Sequence, residues 1–136
     1  SNSFAGFSCV DPWIGLNPNY SKINVENDIN SDFSIHDYYK KLIKYRKGNE
    51  IVRDGDFKEI GLEDSDIFSY TRTYKGKTLL VLGSFSDKKV CYNMPNNLQK
   101  FKRELVISNY NGNIEQNKDA STLYLRPYEA LVFYMY

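Results

Sequence analysis

The chain has 136 residues, of which 41% are hydrophobic and 26% are charged, and its formal net charge is +1. This composition excludes a disordered chain, and the near-neutral charge gives no electrostatic footprint for nucleic acid. No apolar run approaches the roughly 18 residues that would cross a bilayer, so we expect no membrane partner. Aromatic residues make up 15% of the chain, which predicts a core or a surface rich in rings.

The first 33 residues are rich in turn formers, and the only helix that they indicate is a single turn at 25–29 capped by Asn24.

Cys9 and Cys91 are the two cysteines, and no secretory signal precedes them in this sequence. We therefore expect two independent reduced thiols in a cytoplasmic protein. One histidine and no paired-cysteine motif predict neither a metal site nor a cofactor.

Residues 34–47 carry the clearest helical pattern of the chain. Ser34 and Asp37 have the spacing of a capping box, with Asp in the place of the usual Glu or Gln. The apolar residues then recur with helical spacing at Ile35, Tyr38, Tyr39, Leu42 and Ile43. Gly48 is expected to end the helix in a left-handed conformation.

From residue 51 the hydrophobic period changes to two, and turn residues separate the segments. The predicted strands are 56–62, 67–74, 78–85, 90–93, 103–108, 123–125 and 130–136, with a tight hairpin turn at Lys75-Gly76. Closely spaced strands with no helix between them indicate an antiparallel sandwich or barrel.

Two sets of polar residues are candidates for a catalytic or cation-binding site. His36 and Asp37 are adjacent, but they fall in the first turn of the predicted helix, and a triad hydrolase needs a serine in contact with them. Glu63, Asp64 and Asp66 form an acidic turn, for which a solvated hairpin end is favoured over a cation site. We therefore predict no catalytic residue, no substrate-binding residue and no metal ligand in this chain.

One strand face has the composition of a sugar-stacking surface. Phe68, Tyr70 and Tyr74 alternate with residues of the opposite face. A half-buried sheet face explains the pattern better than a carbohydrate-binding module does, but both interpretations stay open.

Several segments, in order along the chain, resemble the end of the α-glucosidases of the α-amylase superfamily. The segments AGF at 5–7, PWIGLNPNY at 12–20 and INVE at 23–26 are similar to the stretch that follows the eighth barrel strand, and SIHDYYKKLIKYRK at 34–47 is similar to the last barrel helix. The later segments, similar to the C-terminal β domain, are IVRDGDF at 51–57, IFSYTRTY at 67–74, ELVISNY at 104–110 and LRPYEALVF at 125–133. The oligo-1,6-glucosidases and glucan 1,6-α-glucosidases resemble the chain most, while trehalose-6-phosphate hydrolases and sucrose isomerases share much of this tail.

The resemblance implies a mainly β fold, in which a Greek-key-like antiparallel β-sandwich follows a loop-rich segment and one amphipathic helix from the end of a (β/α)8 barrel. Residues 1–50 would be the tail of the catalytic barrel, and residues 51–136 would be the C-terminal β-sandwich domain. The family's nucleophilic Asp, acid/base Glu and stabilising Asp come from upstream barrel strands, and no position here matches them.

The resemblance therefore implies a non-catalytic fragment of a retaining enzyme that acts on α-1,6-linked gluco-oligosaccharides. Its expected partners are the missing barrel of the same polypeptide and, for the parent enzyme, α-glucoside oligosaccharides. The surface that would face the barrel is expected to be covered by residues 1–33 or by a second copy of the chain, as a homodimer.

Overall fold

The computed structural model describes residues 3–32, 34–118 and 121–136 and divides into two compact units, Ser1–Tyr45 and Arg46–Tyr136. The first unit contains a short 3₁₀ segment at Ser3–Gly6, helix α1 at Val25–Ile29 and most of helix α2 at Ile35–Gly48. Within the described ranges, no helix is long and apolar enough to cross a membrane. The boundary expected after residue 50 stays a prediction.

The two helices of the first unit are joined through their caps. The Asn24 side chain accepts a hydrogen bond from the Asn27 backbone N–H at 2.8 Å, which confirms the predicted start of α1. At the start of α2, Ser34 Oγ accepts from the Asp37 N–H at 3.1 Å, as a capping box requires. Asp28 of α1 completes this cap.

The Asp28 carboxylate accepts the backbone N–H groups of Ile35 and His36, both at 2.9 Å, and the Ser34 hydroxyl at 2.9 Å. The predicted capping box assigned the anionic part of the cap to Asp37, whereas the carboxylate that binds these N–H groups comes from the preceding helix. Hydrogen bonds from His36 N–H and Ile35 N–H lower the pKa of Asp28 below its ordinary value.

The C-terminal end of α2 differs from the prediction. Gly48 is the last helical residue and does not have a positive φ. The helix ends because Asn49 takes an extended conformation and caps helix α3 at Glu50–Asp54, accepting from the N–H groups of Ile51 and Val52. Sequence periodicity gave no indication of α3.

Eight antiparallel strands are present in the described part of the second unit, in two sheets. The strands are β1 Asp56–Ile60, β2 Ile67–Tyr74, β3 Lys77–Ser84, β4 Val90–Asn93, β5 Arg103–Ser108, β6 Glu115–Gln116, β7 Thr122–Leu125 and β8 Ala130–Met135. The larger sheet has the order β1-β2-β3-β8-β5, and the smaller has the order β4-β7-β6. Strands β5 and β6 are therefore edge strands of the two sheets, and β6 was not predicted.

The core lies between the two sheets. Its buried members are Ile67, Leu80, Leu82, Tyr92, Met94, Leu98, Leu123, Leu125, Leu131, Phe133 and Met135. Leu98 comes from helix α4, Asn96–Gln99, at a position where only a turn was predicted. Each buried aliphatic side chain of this kind contributes about 1.5–3 kcal/mol to folding, so the mainly β sandwich predicted from the sequence has a continuous core of its own.

Candidate functional site

The aromatic face of β2 points away from the core. Ile67, Ser69 and Thr71 are buried, and the polar atoms of this buried face are bonded to the neighbouring strand: Ser69 Oγ donates to Ile60 O at 2.6 Å. On the opposite face Phe68 is 43% exposed, whereas Tyr70 is half-buried. We call this opposite surface of the larger sheet the outer face.

The rings of the outer face contact one another at an angle. Phe57, on β1, lies 5.0 Å from Tyr70 between ring centroids with an interplanar angle of 38°, and Phe68 lies 5.5 Å from Tyr70 at 47°. Such tilted pairs are favourable for packing. Stacking on a sugar ring needs coplanar exposed rings, and these three rings do not provide them.

Arg72, also on the outer face, has a structural role. Its Nε donates to Ile51 O at 3.1 Å and its Nη2 donates to Gly55 O at 2.7 Å, so the guanidinium holds α3 against the sheet. Gly55 is required at this junction because a Cβ would lie 2.4 Å from Ile51 O. Leu79 pairs in register with Arg72 and therefore lies on the same face of the sheet. It is buried there because α3 packs against this face.

The polar groups considered from the sequence have local roles. His36 Nδ1 lies 3.1 Å from Asp37 Oδ1, and both side chains are exposed in the first turn of α2. In the acidic turn, Asp64 Oδ1 accepts the backbone N–H groups of Asp66 and Ile67. Among the residues that the structure describes, no three or more His, Cys, Asp or Glu side chains are grouped so that they could hold a metal ion.

The sequence did not indicate a charge pair near the C-terminus, in which Glu129 is buried and Arg126 is partly exposed. Glu129 is 1% exposed, and its carboxylate accepts hydrogen bonds from the Arg126 backbone N–H and guanidinium. The guanidinium also lies 4.2 Å from the Tyr110 ring centroid. The only sequence feature that could have indicated this pair is the Arg-x-x-Glu spacing after β7. It lies in a segment whose residues are typical of an ordinary turn.

A cleft of about 810 Å³ opens between the edge strands of the two sheets. Arg103 and Leu105 line it from β5, and Gln116 lines it from β6. Its remaining lining residues are Gln99, Phe101, Lys102, Gly112, Asn113, Ile114, Phe133 and Tyr136. No sequence pattern indicated this cleft, because its walls belong to two different sheets that come together only in the folded chain.

Two parts of the chain are similar to families of α-amylase-type proteins. Residues 1–55 match the alpha amylase catalytic domain, and residues 67–132 match the alpha-amylase SusG C-terminal domain. The β-sandwich is thus of the type found at the C-terminus of α-amylase-type enzymes.

Among individual proteins, the oligo-1,6-glucosidase of Bacillus cereus is 43% identical over 129 residues, which cover 95% of this chain and 23% of that protein. The crystal structure of Bacillus licheniformis trehalose-6-phosphate hydrolase superposes with a TM-score of 0.87 at 29% identity, covering 98% of this chain and 24% of that one. The trehalulose synthase MutB of Pseudomonas mesoacidophila MX-45 also superposes with a TM-score of 0.87, at 26% identity, covering 99% of this chain and 24% of that one. The chain therefore spans about a quarter of the length of these relatives.

Proposed function

We propose that this chain is the C-terminal part of a retaining α-glucosidase that hydrolyses α-1,6-linked gluco-oligosaccharides. Its β-sandwich is a non-catalytic structural domain that supports the catalytic barrel. The observation that carries the proposal is the 43% identity to the Bacillus cereus oligo-1,6-glucosidase over 95% of the chain. The Bacillus subtilis trehalose-6-phosphate hydrolase is less similar, at 32% identity over 130 residues, which favours the 1,6-glucosidase.

In the proposed reaction, a carboxylate attacks the anomeric carbon, a carboxylic acid protonates the leaving oxygen, and water then releases glucose from the enzyme with retained configuration. Both carboxyl groups belong to the barrel. This chain's contribution is to cover apolar surface and to hold the last helix of the barrel in place.

Exposed apolar residues in the first unit support a barrel partner. Trp13 is 93% exposed, and Phe7, Ile35, Tyr39 and Ile43 are also exposed. Residues 3–32 leave these residues of the α2 stripe exposed. Large exposed apolar groups mark interaction surfaces, and the partner we propose for them is the upstream barrel of the same polypeptide.

We also propose a cytoplasmic location. Cys9 and Cys91 are both exposed and both free, as expected for thiols in a reducing compartment.

The proposal is tested by a chimera in which this chain replaces the matching region of the Bacillus cereus oligo-1,6-glucosidase. We expect the chimera to hydrolyse isomaltose with retention and to unfold at a higher temperature than a second chimera that carries the same chain on the trehalose-6-phosphate hydrolase barrel. The 136-residue chain alone should release no nitrophenol from an aryl α-glucoside. A folded but inactive first chimera, or turnover by the chain alone, would contradict the proposal.

A further inference from the structure

Asn111 and Gly112 form the only Asn-Gly pair of the sequence, and they lie in the loop that joins β5 to β6. Both residues are exposed. Gly112 has a φ of 95°, in the left-handed region that favours glycine, and no atom lies within 4 Å of the place that a Cβ would take. The backbone nitrogen of Gly112 is therefore open to the side chain that precedes it.

Hydrogen bonds hold one asparagine of this loop and leave the other unbonded. The Asn109 side chain donates from Nδ2 to Tyr128 O at 2.9 Å and accepts at Oδ1 from Ala130 N–H at 2.8 Å. Within the described ranges, neither the Asn111 side-chain amide nor the Gly112 N–H is hydrogen-bonded to another protein group. The Asn111 amide can therefore turn towards the next backbone nitrogen, whereas the Asn109 amide is fixed.

Arg126 binds the peptide group that joins Asn111 to Gly112. Its Nη1 donates to Asn111 O at 3.2 Å, while its Nε donates at 3.0 Å to the buried carboxylate of Glu129, which fixes the guanidinium. If the Gly112 nitrogen loses its proton, the negative charge spreads over the peptide group onto Asn111 O. A hydrogen-bond donor already aimed at that oxygen stabilises the charge as it develops.

We propose that Asn111 is a site of spontaneous deamidation, a modification for which water is the only co-reactant. The Gly112 nitrogen gives its proton to water and attacks Asn111 Cγ, and the new C–N bond closes a five-membered succinimide. The Cγ–Nδ2 bond breaks, and Nδ2 takes a proton from water and leaves as ammonia. The reaction is intramolecular, so no second reactant has to be brought into position for this step.

Water then opens the succinimide ring at one of its two carbonyl carbons. Attack at Cγ leaves an aspartate with the original backbone. Attack at the backbone carbonyl carbon breaks its bond to the Gly112 nitrogen and leaves an isoaspartate, in which the chain continues through Cγ. Both products carry one more negative charge than asparagine and differ from it by one water taken up and one ammonia released.

Arg126 favours the isoaspartate product. In that product the former carbonyl oxygen of Asn111 belongs to a new α-carboxylate, and this is the oxygen that Arg126 Nη1 already contacts. The guanidinium then binds an anion in place of a neutral carbonyl group, which strengthens the hydrogen bond. Arg126 would thus hold two carboxylates, the new one and that of Glu129.

The proposal is tested on the ¹⁵N-labelled 136-residue chain, kept folded in mildly alkaline buffer and sampled over time. We expect the NMR signals of the Asn111 side-chain amide to disappear while ammonium accumulates, and those of Asn109 and Asn113 to persist. Peptide mapping by mass spectrometry separates the two products. The rate should be at least that of a synthetic peptide with the sequence of residues 108–116, and the isoaspartate fraction should be higher. A folded chain that reacts several-fold more slowly than the peptide would overturn the proposal.

Two variants separate the reacting group from the group that assists it. Asn111→Gln keeps the amide and the backbone oxygen but requires a six-membered ring, so it should slow the release of ammonia at least about tenfold, a barrier about 1.4 kcal/mol higher. Arg126→Lys keeps a cation beside Glu129 but lacks the forked donor that reaches Asn111 O, and far-UV circular dichroism checks its fold. It should lower both the rate and the isoaspartate fraction. An unchanged rate and product ratio in folded Arg126→Lys would overturn the role of Arg126, and undiminished ammonia release from Asn111→Gln would overturn the site.

Discussion

Glu129 shows how a single buried charge organises the end of the sandwich. Its Oε2 accepts from Arg126 N–H at 2.8 Å, and its Oε1 accepts from Arg126 Nε at 3.0 Å and from Nη2. The Glu129 backbone carbonyl accepts from Ser84 N–H at 2.8 Å, which ties the turn after β7 to the end of β3. The hydrogen bonds from the guanidinium to Glu129 raise the pKa of Arg126. This pair fixes the turn from which β8 begins.

Glu129→Gln is expected to destabilise the second unit by about 2 kcal/mol, because the buried amide keeps one acceptor oxygen where the carboxylate had two and no longer neutralises the guanidinium. Urea unfolding followed by far-UV circular dichroism measures the change. Glu63→Gln, in the exposed acidic turn, is the matched control and should shift stability by less than about 0.5 kcal/mol. Equal stability of the two variants would show that the ion pair contributes nothing net.

The sequence did not reveal Glu129 as a buried charge, for a physical reason. It follows Arg126 and Pro127, and such residues usually mark a solvated turn. Strand alternation did separate the two faces of β2 correctly. Alternation alone could not say which face is buried, since Ser69 is accommodated in the interior only because its hydroxyl reaches Ile60 O.

The helices and strands that are long enough to show several periods of hydrophobic residues were predicted well. Strands β2, β4 and β5 have the predicted bounds, and α2 begins and ends within one residue of its prediction. The missed elements α3, α4 and β6 have five, four and two residues, too few to show a hydrophobic period. They form because tertiary partners stabilise them, as Arg72 does for α3.

The cap of α2 is expected to make the first unit sensitive to acid. The pKa of Asp28 is lowered in the folded state from its ordinary value of 3.8, so its stabilising effect is complete above that value and is lost as the pH falls through the folded-state pKa. Helical circular dichroism of the chain should therefore decrease in acid below about pH 4, and an NMR titration of the Asp28 carboxyl should give the lowered pKa directly.

Asp28→Asn is the matched variant for this prediction. It should lower the helical signal at neutral pH and weaken its acid-dependent loss. Ser34→Ala, which removes the other side-chain acceptor of the cap, should destabilise α2 by about 1 kcal/mol while keeping the acid dependence. An Asp28→Asn chain with the same acid profile as the original would assign that dependence to another carboxyl group.

At the scale of the whole molecule, the resemblance to the family and the mainly β fold could be predicted from short sequence segments that follow one another in the expected order. The cleft could not be predicted in this way. Its walls come from β5, β6, the segment after α4 and the last residue, which meet only because β5 and β6 end their respective sheets. The absence of catalytic residues from this chain stays a prediction, and the assay of the chain alone on an aryl α-glucoside tests it.

The exposed apolar residues of the first unit lead to a prediction about the chain in isolation. Trp13 and the α2 residues Ile35, Tyr39 and Ile43 are exposed to water, and apolar surface of this kind favours association. Because the proposed barrel is absent from the isolated chain, we expect a second copy to take its place. Light scattering should show a monomer–dimer equilibrium that shifts towards the dimer as concentration rises. Trp13→Ser should shift it towards the monomer.

Phe85→Ser is the control, since it removes an exposed ring from the second unit and should leave the equilibrium unchanged. The chimera with the Bacillus cereus barrel should be monomeric at the same concentrations, because the barrel then covers the residues that pair in the isolated chain. If the isolated chain is a monomer at every concentration, or if Phe85→Ser disrupts the dimer and Trp13→Ser does not, the first unit is not the surface that associates.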